Sequence, residues 1–246
     1  MNINEVLSGN VGSIDAHPDD SITKIHGIRA ARRAGGRVFN LVYNKGRGST
    51  LNYRADEHPP FSVTNGDRES ENRAAAVVFG MAASEVWDAT DGGLQLEIAA
   101  LVPATVKWIE DNQINTLLTI GGLDDHPDHL ASGRIALQAA QQAYRDGWPV
   151  DVLELQMGTN GDVIIGATPD GMEQAFAAAR QHGSQFQMGE VGEHPDWPIV
   201  PGGLAMHPDS FADLRRYPIL RDSTYVYYPA GSLMVAQATG IVHVGG

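Results

Sequence analysis

The sequence predicts an α/β fold, a doubly wound and mostly parallel sheet with helices on both faces. Two observations carry that expectation. Apolar runs of strand length alternate with helix-period segments along the chain, the grammar of β-α-β units. Two of these runs, residues 11–16 and 116–120, end in the same turn: His17-Pro18-Asp19-Asp20 after the first and His126-Pro127-Asp128-His129 after the second. Proline suits the first turn of a helix and carboxylates favour its positive N-terminus, so each turn reads as a strand end entering a helix. In open α/β sheets ligands collect beyond the carboxyl ends of the strands, which places the two turns to face each other across one crevice.

The elements follow in order. Ile22, Ile25, Ile28 and Ala31 recur at three-residue spacing up to Gly35-Gly36, an amphipathic helix with a glycine stop. Residues 38–43 are a second strand, parallel to the first by right-handed crossover, and the loop of residues 44–49 leaves it with two cations and glycines that suit either a substrate loop or a solvated turn. Residues 50–66 read as an irregular excursion, 68–79 as a helix closed by Gly80, 85–87 as a third strand and Asp91-Gly92-Gly93 as a turn. A helix over 96–111 must tolerate or bend at Pro103 before the strand at 114–120. A helix over 130–144, strands at 152–155 and 163–165, a helix over 172–182 and strands at 225–228 and 233–235 complete the reading. No linker or fixed-period repeat interrupts it, so residues 1–246 are expected to form one domain.

Composition narrows the function. A formal charge of −13 opposes binding to nucleic acid or an anionic membrane surface and favours a neutral or cationic small molecule. With Cys 0, any tightly held metal must rest on histidine and carboxylate. The first residues lack the basic and apolar regions of a leader, and no apolar run of about 18 residues occurs, so a cytoplasmic protein is expected; a homo-oligomer is compatible with all of this.

His-Pro-Asp occurs four times, and context separates the copies. His194 lies in a Glu/Gly/Pro-rich loop and Asp209 reads as the cap of a short helix, so both of these copies are taken as structural. The first two end apolar segments and add a ligand-type residue, Asp20 or His129. Hydrolytic zinc sites present three protein ligands and keep a position open for water; His17, Asp20 and His129 supply such a set. Asp19 is left beside the metal as a proton acceptor and His126 on the other side. The alternative at this stage is a pair of helix caps with incidental histidines. His182 is balanced between the pocket rim and a helix C-terminus, and Arg68 between substrate binding and pairing with Glu69 or Glu71. His26, His58 and His243 are read as structural or surface residues.

The paired motifs Ala16-His17-Pro18-Asp19-Asp20 and His126-Pro127-Asp128-His129 resemble the signatures of the PIG-L or LmbE-like zinc N-deacetylases, whose fold is Rossmann-like. Arg68-x-x-Glu71 with Ala75 and Phe79-Gly80, Asp91-Gly92, and Ala178 to His182-Gly183-Ser184-Gln185 agree with that family, so the resemblance runs from residue 12 to about 185. It implies Zn²⁺, or another divalent ion, on His17, Asp20 and His129, with Asp19 as general base. It further implies that His126 is a protonated partner for the oxyanion or the leaving amine, and that Asp128 orients a ligand. Lys45, Arg47, Arg68 and His182 are the candidate substrate contacts. Ser21 replaces a frequent Glu, Asn44 and Arg47 replace the usual Thr and Glu, and Asp124-Asp125 stand where some relatives place a tyrosine.

The leading expectation is therefore a metal-dependent hydrolase that removes N-acetyl from an amino sugar or sugar-bearing metabolite. An amidase for larger N-acyl or thiol-conjugate substrates is the nearest rival, and an inactive binding protein on the same fold is the reading from another class. Dinucleotide binding is disfavoured because His-Pro-Asp-Asp replaces G-x-G-x-x-G after the first strand.

Overall fold

The computed structural model describes residues 2–47, 65–121, 124–157 and 161–232. The expectations for residues 48–64, for the strand at 233–235 and for His58 and His243 lie outside them. The strands are β1 Asn10–Asp15, β2 Arg37–Asn44, β3 Ala83–Ala89, β4 Ile114–Ile120, β5 Asp151–Gln156, β6 Val163–Ile165, β7 Met188–Glu190, β8 Ile199–Val200, β9 Leu204–Met206 and β10 Ser223–Tyr228. The helices are α1 Ile3–Val6, α2 Ile25–Arg33, α3 Asn65–Phe79, α4 Ile98–Asp111, α5 Pro127–Arg145, α6 Pro169–Gln181 and α7 Pro208–Arg216.

The main sheet has seven strands in the order β3-β2-β1-β4-β5-β10-β6. β1 pairs in parallel with both β2 and β4, β2 with β3 and β4 with β5, whereas β10 runs antiparallel between β5 and β6. The chain winds outward from β1 through β2 and β3, then returns to β4 on the other side of β1. The carboxyl ends of β1 and β4 thus open at the point where winding reverses, the place in such sheets where a crevice forms. The central strands are buried on both faces, as parallel strands between helical layers must be. One core cluster joins Ile22, Ile25, Ile28, Phe79 and Phe176 beneath α2, α3 and α6; the other joins Ile14, Leu41, Trp108, Ile109 and Ile135 beneath α4 and α5. Gly133 lets α5 lie close on the sheet, since a Cβ there would sit 2.6 Å from the Ile120 carbonyl oxygen.

Two expectations change. The turn after β1 enters its helix through a 3-10 segment, Asp20–Lys24, so that α2 begins only at Ile25 instead of near Pro18. Residues 188–206 contribute a small antiparallel sheet, β7-β9-β8, whose two- and three-residue strands carry too little pattern to be read.

A buried polar network supports the β1 turn from below. Asp15 and Lys24 are both fully buried and paired; Ser21 donates to Asp15 at 3.0 Å and Asn40 donates to the same carboxylate oxygen. Asn72 extends the network by donating to the Pro18 carbonyl at 2.8 Å. Ser21, which departs from the family's frequent glutamate, is here one of the donors that hold Asp15. Burial pushes the Asp15 carboxyl above its ordinary value, against the opposing pull of Lys24. Lys24→Met should therefore destabilise the fold by about 3–5 kcal/mol near neutral pH, because it leaves Asp15 buried without its cation. The loss should shrink as pH falls, since a protonated Asp15 no longer needs that partner. Urea unfolding at pH 7.5 and pH 5 checks both points; a cost below about 1 kcal/mol at both would refute the role given to the pair.

Candidate active site

Asp20 organises the first turn. Its Oδ2 accepts the backbone N–H groups of Ala16 and His17 at 3.0 and 2.8 Å, fixing the chain as it leaves β1. Its Oδ1 lies 3.2 Å from His129 Nε2. The second turn is organised by His126, the N-cap of α5, whose Nδ1 accepts the Asp128 N–H at 3.2 Å. His207 caps α7 in the same manner through the Asp209 N–H, so the cap there is the histidine and not Asp209. The capping and functional readings of the second motif are thus compatible: His126 caps the helix with one nitrogen and has the other left over.

The three expected ligands converge. His17 Nδ1 is 3.2 Å from His129 Nε2 and 3.5 Å from Asp20 Oδ2, and Asp20 Oδ1 lies 3.2 Å from His129 Nε2, so the three side chains meet with a different carboxylate oxygen facing each histidine. Tetrahedral zinc with bonds of about 2.0–2.1 Å separates its ligand atoms by about 3.3–3.4 Å, so the donor set fits a small divalent cation in both chemistry and spacing. Each imidazole is also backed by carboxylate. His129 Nδ1 meets Asp124 at 2.9 Å, and His17 Nε2 lies 3.4 Å from Asp91 and 3.5 Å from Asp128. Such partners fix the tautomer and orientation of metal-binding histidines. Asp128, fully buried, accepts the N–H groups of Gly92 and Leu94 at 2.7 and 3.1 Å, which holds it behind His17. Asp124 and Asp91 were not singled out as site residues in the sequence; the only sign was that each adjoins a recognised motif.

The electrostatics match this arrangement. Burial works against charge on His129, yet Asp20 and Asp124 prevail and its pKa rises to about 10. His17 is likewise pushed up against its burial, mainly by Asp20, while Asp20 is held well below its ordinary value by His129 and His17 despite its own burial. His126 behaves differently: burial and the nearby charges of His129 and His17 push its pKa down. Its Nδ1 is engaged as an acceptor, which leaves Nε2 as the nitrogen free to donate.

A cavity of about 360 Å³ opens over this cluster, at the lower end of the range for small-molecule sites. His17, Asp19, Asp20, His126, His129 and Arg68 line one part of it. Arg68 is a buried clamp: it donates to Asp19 and, at 2.8 Å, to the Gly46 carbonyl. Its expected partners are used elsewhere, Glu69 by Lys45 at 2.7 Å and Glu71 by the N–H and hydroxyl of Ser184. Lys45 and Arg47 are drawn to Glu69 and Asp88 and do not line the cavity. His182 is fully buried and lies off the rim, with neither ring nitrogen hydrogen-bonded, and burial lowers its pKa to about 4. His26 is structural, bonded to the Ile219 carbonyl at 2.9 Å, and His194 stacks on Trp197 at 3.7 Å, apart from the cluster. The rest of the lining is Thr23, Asp91, Gln185, Phe186 and a stretch at the end of α7; of these only Asp91 and Gln185 lie in the motif segments that carry the family resemblance.

Among solved structures, N,N'-diacetylchitobiose deacetylase from Pyrococcus horikoshii is similar to this chain with a TM-score of 0.66 and 17% identity, covering 92% of this chain and 85% of that one. The A40926 pseudoaglycone deacetylase Dbv21 follows the same fold, with a TM-score of 0.58, 16% identity and coverage of 89% and 97%. So does GalB, the 4-carboxy-2-hydroxymuconate hydratase from Pseudomonas putida KT2440, with a TM-score of 0.53, 16% identity and coverage of 72% and 80%. No curated protein sequence matches the chain. The family described as PIG-L, GlcNAc-PI de-N-acetylase, matches residues 13–140, which contain the first two His-Pro-Asp turns and more than half of the sequence, and the chain belongs to that family.

Proposed function

We propose that residues 1–246 form one domain that hydrolyses the N-acetyl group of an amino sugar or sugar-bearing small metabolite, with a divalent cation, zinc by preference, held by His17, Asp20 and His129. The observation that carries this reading is the convergence of His17, Asp20 and His129, with pairwise approaches of 3.2–3.5 Å, in the lining of a cavity. A hydratase shares the fold, so the fold alone does not select the reaction. Family membership and a site with a base, a donor and a cation position together support amide hydrolysis. The deacetylases among the similar structures support a sugar-like substrate.

The cation would act as a Lewis acid on the acyl carbonyl and make a nearby water more acidic. This chain's residues supply the rest. Asp19, oriented by Arg68, takes a proton from water as the oxygen–carbon bond forms. The His126 Nε2–H donates to the oxygen on which charge develops. The proton taken by Asp19 then passes to the nitrogen as the carbon–nitrogen bond breaks, leaving acetate and an amine. Asp128, Asp91 and Asp124 keep the two histidine rings in place, and no described helix is long and apolar enough to carry the site into a membrane.

Acetate release from N-acetylglucosamine, its glycosides and acetylated disaccharides by the zinc-loaded protein tests the reading. Cleavage of only long-chain or peptide amides would move the assignment to a general amidase, and no cleavage of any amide would overturn it. Asp19→Asn should retain one divalent ion per chain and lose activity by roughly 10²–10⁴-fold, the usual contribution of a positioned base. Metal analysis of that variant distinguishes a lost base from a lost ligand. His17→Ala and His129→Ala should each abolish stoichiometric uptake of zinc. In the native chain, uptake should weaken as pH falls, because both raised histidines must lose their protons to bind the ion. Zinc affinity measured by competition with a chelator between pH 6 and pH 8 checks the sign.

A further inference from the structure

The cavity lining away from the metal cluster has a chemistry of its own. Asp213, Leu214, Arg216 and Tyr217, from the C-terminal end of α7, face it together with Phe186 and Gln185. Positions 213, 216 and 217 are spaced i, i+3 and i+4 and so share one side of the helix end. Each offers a different contact. Arg216 is a planar set of donors at the mouth, held 3.2 Å from Asp125, the residue that precedes His126. Asp213 is a half-buried acceptor. Tyr217 is a phenol whose ionisation is suppressed by burial and by Asp124, Asp20 and Asp19, so it remains an O–H donor close to the metal cluster. Leu214 and Phe186 present apolar surface between these groups, both anchored in the core beneath α2, α3 and α6.

We propose that Asp213, Arg216 and Tyr217 form a sugar-ring subsite, binding the hydroxyl groups of the ring that carries the amide while Leu214 and Phe186 cover its C–H face. The inference rests on the reading of the cavity as a deacetylase site and deepens it by assigning specificity to α7. A hydroxyl both donates and accepts, so neighbouring hydroxyls are matched by a guanidinium beside a carboxylate, and a pyranose adds an apolar face that polar groups alone would leave uncovered. An anionic ligand fits less well. Asp19, Asp20, Asp91 and Asp213 all face the same cavity, and Arg216 already has a carboxylate partner. A purely apolar acyl chain would leave the charged side chains of the wall without compensation.

The test uses the full chain loaded with zinc and two readouts. Calorimetry measures binding of glucosamine, which contains no amide to cleave, and kinetics measures hydrolysis of N-acetylglucosamine. Arg216→Ala and the isosteric Asp213→Asn should each weaken glucosamine binding by about tenfold or more, the scale of losing a hydrogen bond to a charged group. KM for N-acetylglucosamine should rise by a similar factor, more than kcat falls. Arg215→Ala removes a side chain that lies over Phe211 on the same helix, and it should leave both readouts at the native level. Native affinity for glucosamine in Arg216→Ala and Asp213→Asn would overturn the subsite, as would an equal loss in Arg215→Ala or a wild-type protein that binds no amino sugar. If the wild type binds glucosamine in an Arg216- and Asp213-dependent manner but cleaves no N-acetyl sugar, the subsite stands and the deacetylase reading falls. If it cleaves the sugars with affinities that ignore both residues, the reverse holds.

Discussion

One carboxylate carries two obligations in this structure. Asp20 must accept the N–H groups of Ala16 and His17 to close the turn after β1, and it must present its other oxygen to His129 from the neighbouring strand's turn. The backbone contacts fix the side chain in one orientation. They also tie the position of His17 to that of Asp20, because the same oxygen that holds the His17 backbone lies 3.5 Å from its ring nitrogen. Everything beneath, from Ser21 and Lys24 on Asp15 to Asn72 on Pro18, keeps this turn from moving. A buried charge pair is weak evidence of stability in general, but here it forms the floor on which a metal site would be aligned.

The balance of charge around the cluster explains why the histidines are raised when no cation is present. Asp20, Asp91, Asp124 and Asp128 converge on two imidazoles, and the nearest guanidinium, Arg68, is committed to Asp19. Negative charge would exceed positive charge in a buried space unless protons or a metal ion made up the difference. His126 stands at the edge of this field, and burial together with the charges of His129 and His17 pushes it, alone of the three rings, toward the neutral form.

Much of this was legible in the sequence because strand ends and helix starts are local events. The His-Pro-Asp turns after β1 and β4 combine proline at a helix start, acidic first-turn residues and a preceding apolar strand, and their convergence follows from right-handed winding. The residues that were hidden act at a distance. Asp124 holds His129, in the first turn of α5, from the loop before that helix, and Asp91 reaches His17 from a turn after another strand. Arg68 could not be assigned because Glu69 and Glu71 are plausible partners in sequence; only the fold reveals that Glu71 is taken by Ser184 and that Gly46 brings a carbonyl to the guanidinium. Lys45 and Arg47 looked like substrate contacts because their loop leaves the right sheet edge, but nearby carboxylates claim them. Beyond residue 185 the short helix near Asp209 and the strand at 225–228 were legible, but nothing local in the sequence said that the end of that helix would line the cavity.

The placement of β10 decides how the main sheet is closed. Among the described residues β6 is bonded within the main sheet only through β10, and β10 lies between β5 and β6, so the chain must run past residue 223 before either neighbour gains that partner. Until then β5 and β6 expose unpaired edges, the feature by which sheets recruit other chains. Closure depends on contacts between residues about 70 positions apart. α7 lies just upstream of β10, so the stretch of chain that closes the sheet also supplies part of the cavity lining over the two His-Pro-Asp turns.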